Sequence, residues 1–159
     1  MIFVSLGTQD KSFVRLLETI DDAIEKGIIT EPVVAQIGQT VYTPKHMECF
    51  GFIENQKMSD YIEKCSCVVC HGGVGTISNG VAHGKPVIAT PRLAKYGEHH
   101  NDHQKQIIEK MAEDGCLIPM WKMEDLKDCL EKAKTFVPKP IQSNAAHFQD
   151  VVRQYLNKI

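Results

Sequence analysis

A short apolar run that ends abruptly in a cluster of glycines lies near the middle of this 159-residue sequence. Residues 66–70 read Ser-Cys-Val-Val-Cys, which is typical of a buried strand, and residues 71–76 read His-Gly-Gly-Val-Gly-Thr. The glycines thus stand between a predicted strand and the predicted helix that follows it. Buried strands that alternate with helices build parallel sheets. The segment therefore predicts an α/β fold.

The same alternation of apolar and amphipathic segments continues on both sides of this unit. It predicts six strands, at residues 2–6, 32–37, 48–53, 66–70, 86–90 and 116–118. The spacing of apolar residues predicts helices around 13–24, 58–62, 76–83, 103–114, 125–134 and 141–159, with Gly84 as a left-handed stop. We expect a single domain over residues 1–159, with a Rossmann-like parallel sheet and helices on both faces.

Composition narrows the classes of function. The net charge of −2 and the absence of a basic run give no electrostatic footprint for nucleic acid, so no nucleic-acid partner is expected. No apolar run approaches the roughly 20 residues of a membrane-spanning helix. The six cysteines lie mostly within apolar stretches, which predicts reduced, buried thiols in a cytoplasmic protein.

The glycine turn has the properties of an anion site. Glycines let a ligand approach the backbone, and the start of a helix offers unpaired N–H groups and the positive end of its dipole. We expect a diphosphate to bind there, with the candidate residues His71, Gly72, Gly73, Gly75 and Thr76. The alternative is that the glycines only allow tight packing of strand against helix. The spacing matches neither G-x-G-x-x-G nor a P-loop.

A second pattern overlaps the same residues, because Cys67 to His71 reads C-x-x-C-H, as at haem attachment sites. Residues three apart in an extended strand face opposite sides of a sheet, so Cys67 and Cys70 cannot share a metal ion. Core packing explains these cysteines better. We therefore predict no metal and no cofactor, and no Asp-x-Asp motif is present.

Two further loops follow predicted strands and are expected at the same edge of the sheet. The loop after residue 90 is rich in carboxylates, amides and imidazoles, the groups that bond sugar hydroxyls. Its sugar-binding candidates are Glu98, Asn101, Asp102, His103 and Gln104; the alternative is a solvated loop in which Asp102 caps a helix. The loop after the first strand offers Thr8 and Gln9 to a diphosphate or an acceptor, or is a plain turn.

These segments together carry a resemblance to a known family. They are Ser5-Leu6-Gly7-Thr8-Gln9, Phe50-Gly51-Phe52-Ile53, the run from His71 to Thr76, Gly84-Lys85-Pro86, Pro91-Arg92, and Gly97-Glu98-His99-His100-Asn101-Asp102-His103-Gln104. The chain resembles the C-terminal, donor-binding half of GT-B glycosyltransferases of family 28. Within that family it is most similar to the small catalytic subunits of bacterial exopolysaccharide and capsule glycosyltransferases, which resemble the soluble catalytic subunit of the eukaryotic dolichol-pathway UDP-GlcNAc transferase.

The resemblance implies a role for each candidate. Gly73, Gly75 and Thr76 would hold the diphosphate of a UDP-sugar, with His71 near it. The uridine would contact Phe52, Ile53 and Met58, and Asn79 stands where a ribose-binding glutamate is common in the family. Asp102, His103 and Gln104 would meet the sugar, with Glu98 and Asn101 supporting the loop.

The resemblance also implies a split enzyme. A membrane-associated second subunit would supply the missing half and the site for a lipid-diphosphate-linked acceptor, and the segment 141–159 would dock on that partner or pack on its own sheet. The expected reaction is an inverting transfer of a hexose at the cytoplasmic face of the membrane. The general base would be His99, His100 or His103, or would come from the partner.

Two other functions remain as alternatives. The chain could be a non-catalytic subunit that enhances a partner transferase. It could also be an NAD- or flavin-binding oxidoreductase, but the first strand is followed by Gly7-Thr8-Gln9-Asp10-Lys11-Ser12 rather than G-x-G-x-x-G.

Overall fold

The computed structural model describes residues 1–141, which form one parallel sheet with helices on both faces. The strands are β1 (Ile2–Ser5), β2 (Val33–Gln36), β3 (Glu48–Phe50), β4 (Cys67–His71), β5 (Val87–Thr90) and β6 (Ile118–Pro119). The helices are α1 (Val14–Glu25), α2 (Asn55–Lys64), α3 (Val74–Ala82), α4 (His103–Glu113) and α5 (Leu126–Ala133). The predicted Rossmann-like α/β fold is confirmed.

The order of the strands is β3-β2-β1-β4-β5-β6, and every neighbouring pair is parallel. The chain therefore moves outward from β1 in one direction and then returns to place β4 on the other side of β1. The loops after β1 and β4 diverge at this reversal. In open parallel sheets a crevice for ligands opens at such a point, beyond the carboxyl ends of the strands.

Alternate residues of the central strands fill two separate cores. Cys67 and Val69 pack in the core that contains α1 and α5, whereas Val68 and Cys70 pack in the core that contains α2 and α3. The two cysteines face opposite sides of the sheet, as predicted. Burial raises the pKa of the Cys67 thiol to about 12, so this cysteine is an uncharged core side chain at neutral pH.

Some boundaries differ from the predicted ones. Helix α3 begins at Val74 rather than at residue 76, so Gly75 lies inside its first turn. Strand β3 ends at Phe50 rather than at residue 53, which leaves Phe52 and Ile53 in the loop before α2. Gly84 has a φ of 67° and is the left-handed stop that the sequence predicts.

Two further expectations concern the C-terminal helix and the absence of a membrane-spanning helix. The predicted C-terminal helix lies outside the described residues except for Ile141. Within residues 1–141, none of the helices combines the length and the apolar composition that crossing a bilayer requires.

The contact between α3 and β5 provides a test of the fold. A Cβ on Gly80 would lie 2.6 Å from Cγ2 of Val87, although alanine is otherwise favoured over glycine in a helix interior. We expect Gly80→Ala to lower Tm by roughly 2–6 °C, because the overpacking outweighs the helix propensity. Thermal unfolding followed by circular dichroism measures this effect. In a Val87→Ala background the same change should raise Tm, and a rise in the wild-type background would contradict the packing.

Candidate functional site

A cleft of about 340 Å³ opens beside the carboxyl ends of β1, β2 and β4. It brings together most of the residues predicted to bind a diphosphate and a uridine, which come from distant parts of the sequence. The lining residues are Ser5, Gly7, Thr8, Gln36, Phe52, Ile53, Asn55, Met58, His71, Gly75, Thr76 and Asn79. A larger hollow beside Trp121 and β6, about 830 Å³, lies away from the polar loops. The cleft is therefore the better candidate.

The first turn of α3 points unpaired donors at this cleft. Gly73 is the N-cap in an extended conformation (φ −83°, ψ 123°), and no side chain caps the helix. The first hydrogen bond of the helix runs from the N–H of Ile77 to the carbonyl of Gly73. The N–H groups of Val74, Gly75 and Thr76 consequently have no acceptor within residues 1–141. A helix start of this kind favours an anion.

The three glycines of the turn serve different purposes. A Cβ on Gly72 would lie 2.7 Å from the Cβ of Gln104, and one on Gly73 would lie 2.1 Å from Nε2 of His71. A Cβ on Gly75 would meet no atom within 4 Å. Packing inside the protein therefore explains Gly72 and Gly73, and only Gly75 leaves open space beside the helix start. The alternative that the glycines only allow tight packing therefore holds for Gly72 and Gly73 but not for Gly75.

A series of buried, hydrogen-bonded polar side chains lies under the cleft. The hydroxyl of Ser5 donates to Oε1 of Gln36 (2.9 Å), and Nε2 of Gln36 donates to the carbonyl of Gly7 (3.2 Å). The hydroxyl of Thr76 lies 3.4 Å from that of Ser5. Sequence reasoning assigned no role to Gln36, although a polar residue at the end of an apolar strand is a usable signal. These polar contacts link β2, β1 and α3 at the floor of the cleft.

His71 lies on the face of β4 opposite to these hydrogen-bonded side chains, at the rim of the same cleft. Its ring is about nine-tenths buried, and Nδ1 lies 3.4 Å from the carbonyl oxygen of Ser5. Burial, with a smaller contribution from the positive charge of Arg92, lowers the pKa of His71 to about 4. The imidazole is therefore uncharged at neutral pH.

The loop after β5 is held against the loop after β1 by two arginines. Arg15 of α1 forms an ion pair with Glu98 at 2.8 Å, and Glu98 is only 4% exposed. Arg92 is 1% exposed and donates to the carbonyl oxygens of Leu6 (2.7 Å) and Lys11 (2.6 Å). Glu98 thus supports the loop. The role of Arg15 could not be predicted from the sequence, because its partner Glu98 lies 83 residues away.

The predicted sugar-binding residues are engaged with the protein itself. The carboxylate of Asp102 accepts from the N–H of Ala94 (2.9 Å), which lowers its pKa. Although Asp102 is the N-cap of α4, its side chain does not cap the helix, contrary to the expectation. The side-chain oxygen of Asn101 accepts from the N–H of His103 instead (3.1 Å).

Gln104 connects two strand ends. Its Oε1 accepts from the N–H of Gly72 (3.2 Å) and from that of Arg92 (3.0 Å). Neither this residue nor the others predicted for the sugar lines the cleft: Glu98, Asn101, Asp102 and His103. The candidate bases His99 and His103, and the candidate phosphate ligand Gln9, are also absent from its lining. His100 and His103 are exposed, and His99 is half-buried.

No group of three or more His, Cys, Asp or Glu side chains is arranged to hold a metal ion in the part of the chain that the structure describes.

The family model for the glycosyltransferase family 28 C-terminal domain matches residues 1–155. The chain belongs to this family. No curated protein matches the sequence of this family 28 domain.

Solved structures of similar fold include both long and short chains. The glycosyltransferase SnogD from Streptomyces nogalater aligns with a TM-score of 0.61 at 17% identity, over 84% of this chain and 34% of that one. MurG from Acinetobacter baumannii aligns with a TM-score of 0.59 at 17% identity, over 96% of this chain and 49% of that one. The solution structure of ALG13 has a TM-score of 0.59 at 17% identity and covers 95% of this chain and 94% of its own. The family 28 domain therefore has the fold of the C-terminal half of GT-B enzymes, and it spans about a third of SnogD.

The buried His71 generates a prediction about acid stability. An unfolded histidine titrates near pH 6.5, so below that pH the unfolded chain binds a proton that the folded chain, with its pKa of about 4, does not. Stability is therefore lost as the pH falls from 6.5 to 4. Between pH 7 and pH 5 we expect His71 to account for a decrease of about 2 kcal/mol in the free energy of unfolding.

Denaturant unfolding at pH 7, 6 and 5 measures this decrease. His71→Gln removes the titrating ring, so this variant should lose less stability than the wild type over the same interval. Equal pH dependence of the two proteins would show that the ring is not buried in its neutral form.

Proposed function

We propose that this domain binds a UDP-sugar and acts as the donor-binding, catalytic subunit of a split inverting glycosyltransferase. Its acceptor would be a lipid-diphosphate-linked sugar used in exopolysaccharide or capsule synthesis. The observation that carries the proposal is the cleft itself. It combines an uncapped helix start, which favours a diphosphate, with an apolar wall suited to the uracil ring of a nucleotide.

The diphosphate would lie against the first turn of α3. The free N–H groups of Val74, Gly75 and Thr76 and the helix dipole would stabilise the negative charge that develops on UDP as it leaves. The open space beside Gly75 supports this placement. The hydroxyls of Thr8 and Thr76 line the same cleft and are available as additional donors.

The uridine would lie along the wall formed by the loop before α2. Phe52 is 54% exposed, and Ile53 and Met58 adjoin it in the cleft. A uracil ring that covers these side chains would remove their apolar surface from water. Asn79 lies one helical turn beyond Thr76 and would bond a ribose hydroxyl in place of the more common glutamate.

The transferred sugar would extend towards the loop after β5. His103 is exposed there, Asn101 holds the start of α4, and Gln104 has an amide nitrogen left after its oxygen bonds two backbone N–H groups. Glu98 and Asp102 would act by shaping this loop. His99 or His103 would be the general base, unless the partner supplies it.

A second polypeptide would supply the acceptor half. The domain corresponds to 34% of SnogD and 49% of MurG, whereas it covers 94% of ALG13. The resemblance to family 28 enzymes whose two halves are separate chains supports this part of the proposal. The partner would be associated with the membrane and would hold the domain at its cytoplasmic face. No nucleic acid, metal or cofactor takes part in the proposed reaction.

One observation favours a second candidate, a non-catalytic subunit that enhances its partner. The side chains of Glu98, Asp102 and Gln104 already bond groups of the protein, and none of the sugar-binding candidates lines the cleft. A subunit of this kind would increase the activity of the partner without contributing a group that touches the donor.

Calorimetric titration with UDP tests the binding site. A hydrogen bond to a charged group is worth roughly 1.5–3 kcal/mol, so Thr76→Val should weaken UDP binding about 10- to 100-fold. Gly75→Ala should also weaken it, because the methyl group would enter the open space. Thr19→Val on α1 is the matched control, since the hydroxyl of Thr19 donates to the carbonyl of Arg15 and Thr19 does not line the cleft. Unchanged affinity in a folded Thr76→Val, Gly75→Ala double variant would count decisively against this site.

Co-expression with the neighbouring reading frame tests the split enzyme. We expect transfer from one UDP-sugar to a membrane extract only when both chains are present, and we expect His99→Ala or His103→Ala to lower the rate. Robust transfer by the single chain would contradict the need for a partner. A partner that is active alone, and is stimulated equally by wild-type and Thr76→Val domains, would support the enhancer function instead.

A further inference from the structure

The ring of His71 lies between two glycines that belong to different loops. A Cβ on Gly7 would lie 2.5 Å from Cε1 of the ring, and a Cβ on Gly73 would lie 2.1 Å from Nε2. Real Cβ atoms do not approach other atoms this closely, so neither position admits a side chain while the ring is in place. The Cε1–Nε2 edge of His71 therefore fills the space between the loop after β1 and the turn before α3.

The backbone of Gly73 shows that the ring, and not the turn, requires glycine there. Its φ of −83° and ψ of 123° are extended values that any residue adopts without strain. Gly7 differs, because its φ of 73° favours glycine independently of the ring. The three atoms nearest to a Cβ added at position 73 all belong to the ring of His71, at 2.1 to 3.0 Å, so the imidazole accounts for the glycine.

We propose that His71 is a positioning residue, an uncharged spacer that sets the distance between Thr8 and the first turn of α3 and thereby the width of the diphosphate site. This inference rests on the proposed function. The two loops carry the donors on either side of the cleft, Thr8 on one and the N–H groups of Val74 and Gly75 on the other. A rigid planar ring between their glycines keeps these donors apart at a fixed separation.

The electrostatics of the ring agree with a spacer. Burial, together with the positive charge of Arg92, lowers the pKa of the ring to about 4, which leaves it neutral at working pH. Nδ1 faces the carbonyl of Ser5, which can only accept, so Nδ1 carries the proton. Nε2 then has no proton to donate to a phosphate. The attraction for the diphosphate comes from the helix start and not from a cation at position 71.

A double-mutant cycle on the intact chain tests the contact. Gly73→Ala should lower Tm by about 4 to 8 °C, because the methyl group collides with the ring. His71→Ala removes the ring and makes room, so the double variant should be at least 4 °C more stable than the sum of the two single effects, by the logic of coupled sites. Gly51→Ala is the matched control: its Cβ would meet only the carbonyl of Gly38 at 3.6 Å, and its Tm should not fall. Additive effects in the cycle would overturn the inference.

UDP affinity, measured by calorimetry, distinguishes a spacer from a phosphate ligand. For a spacer, Gly73→Ala and His71→Ala each weaken UDP binding, Gly73→Ala about tenfold or more (about 1.4 kcal/mol), because either change alters the separation of the two loops. The double variant then binds UDP better than Gly73→Ala, because the methyl group no longer collides with the ring. For a direct ligand, the two losses add and the double variant binds no better than Gly73→Ala. The second pattern would overturn the inference.

The pH profile separates the two roles again. The ratio of wild-type to His71→Ala affinity for UDP cancels the titration of UDP itself. We expect this ratio to stay constant from pH 8 to pH 6, because the ring remains neutral. A ratio that rises on acidification would show a cationic ligand and overturn the spacer. If the wild type binds no UDP, the proposed function fails and the role in UDP binding fails with it, while the Tm cycle still decides whether the ring separates the loops.

Discussion

The pairing of β1 with β4 is the constraint on which the rest of this molecule depends. The two strands are parallel neighbours from Ile2–Cys67 to Ser5–Cys70, although 65 residues separate them in sequence. The chain leaves β1 towards β2 and leaves β4 towards β5, so the two loops cannot fill the space between them. A cleft at this edge follows from the order of the strands. The apolar faces that hold the pair together carry no information about the ligand.

Polar contacts beneath the edge convert that opening into a defined site. Arg92 is almost fully buried, and it joins the loop after β5 to the loop after β1 by bonding backbone carbonyls. Arg15 adds an ion pair to the same loop, and Gln36 fixes the carbonyl of Gly7. A buried charge without partners would be costly, so these arrangements are stable only as a whole. They leave the first turn of α3 as the free donor surface.

The glycine cluster shows how one motif both allows close packing and leaves a helix start open. Gly72 admits α4, Gly73 admits the ring of His71, and Gly75 leaves the helix start open. Each glycine lacks a side chain for a different reason, and the sequence presents all three alike. The proposed donor site agrees with this division, because a diphosphate at the helix start would need the strand, the turn and the helix in one fixed relation. The proposed spacer role of His71 extends the same logic to the neighbouring loop.

The sequence by itself determined the class of fold, the succession of strands and helices along the chain, and the location of the glycine turn, because these follow from local periodicity and from the conformations that glycine permits. It also named several of the residues that line the cleft, among them Thr8, Phe52 and Thr76, but it named neither Gln36 nor Asn55. Only the tertiary structure decided that Asp102 bonds Ala94 instead of capping α4, that Arg15 holds Glu98, and that Gln36 lies beneath the site. These contacts join residues whose separation in sequence bears no relation to their separation in space. Burial, which sets the charge of His71, likewise exists only once the strands have paired.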